Sequence, residues 1–250
     1  MKNNLAVLIP TYNEAQNIEL LLEKIKSCTG RLSLSRVVIY VIDDSSPDGT
    51  ARVVERMKVA LETENFFIHL LHRSQKQGLG KAYIDGFRAL LAQPDCPDYV
   101  LQMDADLSHH PESIPAFVEA MQAGAELVVG SRYIPGGSCP EWKWYRRALS
   151  EGGNRYARFV LGSSVSDYTG GFNLFSKNLL HKLDFGNLDH SGYGFLIHLK
   201  YEASRVTSKI AQVPIQFSDR EYGVSKMPLS TVWRNFILVL SLKFKTLSER

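Results

Sequence analysis

Tyr99-Val100-Leu101-Gln102-Met103-Asp104-Ala105-Asp106-Leu107-Ser108-His109-His110-Pro111 is the stretch on which the fold turns. Tyr99–Met103 is a short apolar run with the composition of a buried strand. It ends in two carboxylates two positions apart, and Pro111 then opens a helix expected to run through Met121. Two earlier segments share this construction. Leu5–Ile9 runs into Pro10-Thr11-Tyr12-Asn13-Glu14, where Asn13 is placed to cap a helix carrying Ile18, Leu21, Leu22 and Ile25 at helical spacing. Val37–Ile42 runs into Asp43-Asp44-Ser45-Ser46-Pro47-Asp48-Gly49, a dense turn cluster, before a helix marked by Val53, Val54, Met57 and Leu61. Phe66–Leu71 and Glu126–Gly130 read as further strands, and Tyr83, Phe87, Leu90 and Leu91 line another helix.

Strands that are apolar throughout, alternating with helices, predict an α/β class chain: a single Rossmann-like domain whose mostly parallel central sheet has helices on both faces. Ligands of such sheets sit at the carboxyl ends of the strands. The clusters Thr11–Glu14, Asp43–Asp48 and Asp104–Ser108 all fall there. After Gly130 the pattern loosens into a basic, Trp-containing loop, a helix near Arg146–Leu161, a strand at Ile210–Phe217 and a last helix at Pro228–Leu247. With no repeat or linker, residues 1–250 are taken as one domain. The change of pattern divides it into residues 1–130 and residues 131–250, the second part ending in an amphipathic helix.

Composition narrows the class. The chain is 44% hydrophobic and 22% charged, which excludes disorder and fibrous repeats. A net charge of +3 is too small for a dedicated nucleic-acid binder, but it is unevenly spread. Arg132–Arg158 carries six basic and two acidic residues, and Lys200–Arg250 nine and four, so the remainder is net negative and an anionic partner is expected on one face. The three cysteines form no ligand pattern. Neither a leader peptide nor a membrane-spanning helix is expected, since a span needs about 20 apolar residues in a row.

Two nucleotide-binding motifs are absent. No G-x-G-x-x-G follows the first strand, and Gly78-Leu79-Gly80 follows the third strand without its third glycine. Lys81 lacks the glycine spacing of a P-loop. The Asp104-x-Asp106 pair instead suits a hard cation such as Mg²⁺ or Mn²⁺, with positions left over for diphosphate oxygens; a solvated turn is the alternative reading. Asp43-Asp44 reads either as turn and cap residues or as acceptors for a base edge or ribose hydroxyls. Asp167 reads either as the partner of an arginine or as a substrate contact. Mg²⁺ prefers oxygen, so His109 and His110 are expected to pack at the helix entry rather than ligate.

Pro10–Glu14, Asp43–Thr50, Gly78–Gly80 and Asp104–Pro111, in this order and spacing, resemble the inverting GT-A nucleotide-sugar transferases of glycosyltransferase family 2. Ser131-Arg132-Tyr133, Asp167–Phe172 and Asp219–Lys226 narrow the resemblance to the dolichyl-phosphate mannose synthase group, the polyprenyl-phosphate β-mannosyltransferases. It covers nearly the whole chain, and implies that residues 1–130 are the nucleotide-sugar-binding half and residues 131–250 the acceptor-binding half.

The resemblance implies that Pro10, Tyr12 and Glu14 hold the nucleoside, with the Ile42 backbone and Asp44 at the guanine end. It implies that Asp104, Ala105 and Asp106 bind donor and metal, and that Arg132, Arg220 and Lys226 meet phosphates. Asp106, Arg132 and Arg220 are the residues it implicates in catalysis. Ser108 stands where some relatives place a glutamine metal ligand, and its hydroxyl is counted with Asp104 and Asp106 as a metal ligand. The implied reaction is transfer of mannose from GDP-mannose to dolichyl or polyprenyl phosphate with inversion, assisted by Mg²⁺ or Mn²⁺. The implied setting is peripheral, on the cytoplasmic face of a membrane, with a small membrane subunit as a possible anchor. A glucosyltransferase using UDP-glucose and a catalytically silent nucleotide-binding module are the rival expectations.

Overall fold

The computed structural model describes residues 3–188, 192–219 and 229–248. Seven strands form one sheet in the order β3-β2-β1-β4-β6-β5-β7. They are β1 (Asn3–Thr11), β2 (Leu34–Asp43), β3 (Phe66–His72), β4 (Tyr99–Gln102), β5 (Leu127–Ser131), β6 (Asn173–Ser176) and β7 (Ile210–Pro214). All neighbours run parallel except β6, which is antiparallel to both β4 and β5. The α/β class and the mostly parallel sheet are as expected from the sequence.

Side-chain alternation explains why the strands are apolar from end to end. Leu5, Val7 and Ile9 of β1 face one core with Val37, Ile39 and Val41 of β2. Helices α1 (Ile18–Thr29), α2 (Thr50–Leu61) and α4 (Ile114–Gln122) cover that face. Ala6, Leu8, Val38, Tyr40 and Ile42 face the opposite core. There they meet α3 (Leu79–Leu91), α5 (Trp144–Leu161), the short α6 (Lys177–His181), α7 (Gly192–Val206) and α8 (Leu229–Ser248). Gly86 lets α3 lie flat on the sheet, because a Cβ there would stand 2.6 Å from Ile42 Cδ1.

Several expectations shift. Helix α1 starts at Ile18 with Asn17 at its N-cap, not at Asn13. Asn13 has φ of 62° and donates its N–H to Ser46 Oγ, so it belongs to the strand-end loop. Pro111–Ser113 forms a 3₁₀ turn ahead of α4. The seventh strand stops at Pro214, and Gln216 and Phe217 continue only as isolated bridges to Ser138 and His109. Strand β6, from the second half of the chain, lies between β4 and β5, so both halves build one sheet.

Candidate active site

The register brings the strand ends together. Pro10 lies beside Ile42 and Thr11 beside Asp43, while β4 flanks the other side of β1. The three non-glycine residues with left-handed backbone among the described residues are Asn13, Ser45 and Leu107, one in each loop at these ends. Such conformations cost free energy and concentrate where surrounding structure over-determines them.

Two of the loops are zipped to each other. Asp43 is fully buried; it accepts from Thr11 Oγ1 (3.0 Å) and from the Ser46 N–H (3.0 Å), which makes it a turn-building carboxylate. Asp48 accepts from the backbone of Ala15 and Thr50 and from the Thr50 hydroxyl. Burial opposes ionisation of Asp48, but these donors outweigh it and lower its pKa. Asp44 takes Arg73 Nη1 at 2.5 Å and the Gln77 N–H at 3.3 Å, and Arg73 also reaches Asp85. Tyr12 is exposed, with Lys76 Nζ 3.6 Å from its ring centroid. Glu14 Oε2 accepts from Asn17.

At the end of β4, Asp104 is half-buried and Asp106 nearly fully buried, with Ala105 between them in the apolar core. Ser108 points its hydroxyl at Asp106 Oδ1 (2.5 Å) and adds its N–H (3.1 Å). Tyr83, stacked under the turn, donates to Met103 O (2.9 Å) and reaches Asp104 Oδ1 (3.3 Å). Burial, reinforced by the charge of Asp104, pushes the Tyr83 phenol well above its ordinary pKa, so it stays a donor. His109 is buried and stacks on Phe172, and its Nδ1 accepts from the Asp104 N–H. Its proton is therefore on Nε2, and burial lowers its pKa, as suits a packing histidine. Gly171 closes the site from behind, where a Cβ would lie 3.2 Å from Asp104 Oδ1.

Past β5 stands the second charged centre. Arg132 donates Nε to Asp167 Oδ2 (2.7 Å), and Nη2 to Asp167 Oδ1 and Thr169 Oγ1 (both 2.8 Å). Asp167 is thus the arginine partner. The rings of Trp142, Tyr133 and Phe217 surround the same guanidinium at 5.2–5.3 Å. Arg146 covers Trp142 at 4.1 Å and pairs with Asp219. Arg132, Lys143 and Arg146, with Glu141, Asp219 and the ring of Trp142, form the charged end of a cavity of about 550 Å³ that continues between α5, α7 and α8 past Tyr156, Tyr168 and Phe236.

Arg220 and Lys226 lie outside the described residues. Lys200, which sequence reading passed over, is completely buried and donates to Gly170 O. The signal is a lysine inside Phe195–Tyr201, a stretch otherwise apolar or aromatic but for His198.

Residues 6–184 match the model of the Glycosyl transferase family 2 domain. This chain is a member of glycosyltransferase family 2. Within the family it is 39% identical over 226 residues to the polyprenol monophosphomannose synthase of Mycolicibacterium smegmatis, covering 90% of this chain and 82% of that one. It is 37% identical over 220 residues to the undecaprenyl-phosphate mannosyltransferase of Micrococcus luteus, covering 88% and 86%. Among solved structures, glucosyl-3-phosphoglycerate synthase of Mycobacterium tuberculosis bound to UDP superposes with a TM-score of 0.66 at 21% identity, over 96% of this chain and 80% of that one. Mannosyl-3-phosphoglycerate synthase of Rubrobacter xylanophilus gives 0.65 at 16% identity, over 99% and 76%. These two likenesses bear on the fold, and they fit this family-2 transferase to the GT-A class.

Proposed function

We propose that the chain transfers mannose from GDP-mannose to the phosphate of a polyprenol, inverting the anomeric centre and releasing GDP. The observation that carries this reading is the cavity behind Arg132. One end carries the three cations Arg132, Lys143 and Arg146 against the two carboxylates Glu141 and Asp219, and the rest is lined mainly by aromatic and aliphatic side chains of α5, α7 and α8, a division that suits a charged head on an apolar tail. The two relatives named for mannosyl transfer to polyprenol phosphates support the same substrate pair.

Donor and acceptor are both anions, so the site must hold them together against repulsion. Arg132 contributes fixed charge and Arg146 a second guanidinium, with Trp142 between them. Arg220 and Lys226 are assigned to the phosphates on the sequence motif alone. The acceptor needs no base: a phosphate monoester has its second pKa near ~6 and is largely ionised at neutral pH. Pro10, Tyr12, Glu14, Ile42 and Asp44 line the strand ends assigned to the nucleoside.

The donor set at Asp104 and Asp106 fits Mg²⁺ or Mn²⁺, being all oxygen. Among the described residues no group of three or more His, Cys, Asp and Glu side chains gathers to make a closed protein cage. Such a site leaves coordination positions for diphosphate oxygens. A bound cation would stabilise the departing diphosphate. Ser108, whose hydroxyl is given to Asp106, orients that carboxylate.

Among the described residues no helix is long and apolar enough to cross a membrane. Trp144 and Tyr145 of α5 and Trp233, Ile237 and Phe244 of α8 are exposed, near Arg146, Arg147, Lys243 and Lys245. Aromatic and basic residues on amphipathic helices favour a lipid–water interface. We therefore assign this face to the membrane that carries the acceptor, on its cytoplasmic side. An anchoring subunit is an alternative means of attachment.

Incubation with GDP-mannose, Mg²⁺ and a short polyprenyl phosphate, followed by NMR of the product, tests the reading. A β-linked mannosyl phosphate is expected. Transfer from UDP-glucose instead would overturn the donor assignment. Tight nucleotide binding without transfer to any polyprenyl phosphate would make the chain a binding module.

A further inference from the structure

Lys200 sits in the middle of α7 with none of its surface exposed. Its helical neighbours Leu196, Ile197, Leu199, Tyr201 and Ala203 are buried apolar residues. An ammonium in such a place loses its hydration, and burial drags its pKa to about 7 against the opposing pull of Asp167. An apolar side chain of equal length would cost the fold less, since replacing buried charge by well-packed apolar groups is often neutral or stabilising. Packing alone therefore does not account for a lysine here.

The geometry shows what the charge touches. Lys200 Nζ donates to Gly170 O at 2.5 Å. The same carbonyl accepts Asn173 Nδ2 at 3.2 Å, and Asn173 also donates to Gln102 Oε1 at the end of β4. On its other side, the Gly170 N–H donates to Asp167 Oδ1 at 2.9 Å. Asp167 holds Arg132, and the next residue, Gly171, is packed on the Asp104 carboxylate. The Gly170–Gly171 segment is thus a spacer with Arg132 at one end and Asp104 at the other.

We propose that Lys200 is a positioning residue that locks this spacer through the Gly170 carbonyl and so sets the place of the Asp104 carboxylate relative to the Arg132 guanidinium. It touches neither substrate. The inference rests on the reading of Asp104 as a donor-side and Arg132 as a phosphate-side group.

Lys200→Met keeps an unbranched side chain only one atom shorter and removes its charge and donor. Lys200→Gln keeps a donor for Gly170 O. For Lys200→Met the expected result is a thermal midpoint equal to or above that of the unaltered protein. Turnover should fall 10- to 100-fold, and Mn²⁺ affinity in the presence of GDP, read by electron paramagnetic resonance, should weaken roughly 10-fold, the scale of outer-layer effects on metal sites. Lys200→Gln should restore most of both losses.

A purely structural role makes the opposite prediction, a lower midpoint with turnover per folded molecule intact, and that result overturns the proposal. Failure of both variants to fold, or Mn²⁺ affinity unchanged in Lys200→Met, overturns it too. The Mn²⁺ measurement needs no transferase activity. If the unaltered protein binds Mn²⁺ with GDP but transfers no mannose, the proposed function falls while the effect of Lys200 is still decided. If it binds no Mn²⁺, the positioning role falls as well.

Discussion

Arg132 and Asp167, 35 residues apart in the chain, close a two-pronged ion pair whose carboxylate is fully buried and whose guanidinium is 4% exposed, at the edge of the cavity. Burial alone would raise the Asp167 pKa, but the charge and hydrogen bonds of Arg132 outweigh it and hold the carboxyl at about 2. A folded-state pKa below the ordinary 3.8 means that the unfolded chain binds the proton more readily. The stabilisation is therefore complete above pH 4 and is lost as pH falls through about 2, amounting to about 2 kcal/mol at 1.36 kcal/mol per pKa unit. Asp167→Asn leaves the guanidinium buried without its counter-charge. It should lower stability at pH 7 by about 3–5 kcal/mol and flatten the acid limb between pH 4 and 2. Urea unfolding at a series of pH values measures both, and a variant within about 1 kcal/mol of the original at pH 7 would show the pair to be dispensable.

Asp106 and Ser108 separate two kinds of contribution. Asp106→Ala removes a carboxylate that the proposed function assigns to the donor site and should cut mannosyl transfer about 100- to 1,000-fold without loss of fold. Ser108→Ala removes only the hydroxyl that orients that carboxylate, and should raise the Mn²⁺ concentration for half-maximal activity about 10-fold. Metal titrations of both variants check the order. Equal losses would make Ser108 a ligand in its own right.

The strand ends were legible because their signals are local: an apolar run, then turn-forming Asp, Ser, Pro and Gly. The missing parts depend on contacts between distant residues. Asn173–Ser176 is only four residues long and earns its place in the sheet by pairing with β4 and β5 on either side. Helix α7 is buried nearly all round, so it lacks the polar stripe that marks a surface helix. The cap assigned to Asn13 failed because Ser46 takes its N–H and Asp48 takes that of Ala15, which delays the helix to Ile18. The motif points to Arg132, but the sequence leaves Asp167 open between the partner of an arginine and a substrate contact, a choice that only the folded chain makes.

Trp142 has Arg132 at 5.3 Å and Arg146 at 4.1 Å from its ring centroid, and its indole N–H is buried without a protein partner among the described residues. It keeps two like charges in place beside the cavity. Trp142→Ala should raise KM for polyprenyl phosphate about 10-fold or more, each cation–π contact being worth about 0.5–2 kcal/mol, while KM for GDP-mannose changes little. Trp142→Phe should recover part of the loss. Steady-state kinetics with each substrate varied in turn decide, and a rise confined to the donor KM would place Trp142 on the wrong side of the site.

Gly171 offers the sharpest geometric test. An added Cβ would meet both Asp104 oxygens at 3.2 and 3.4 Å and His109 Cε1 at 3.3 Å. His109 cannot easily retreat, because it is stacked on Phe172 and accepts the Asp104 N–H. The carboxylate must therefore yield by a few tenths of an ångström, and transfer should fall about 10-fold or more, since small misplacements at a reacting centre are costly. Gly152, exposed on α5 with nothing near its own Cβ position, is the control. Gly152→Ala should gain about 0.5–1 kcal/mol from the better helix residue and keep full activity. Parallel thermal unfolding and activity measurements separate the two positions. Full activity in Gly171→Ala would mean that Asp104 tolerates displacement and does not hold the donor in a fixed geometry.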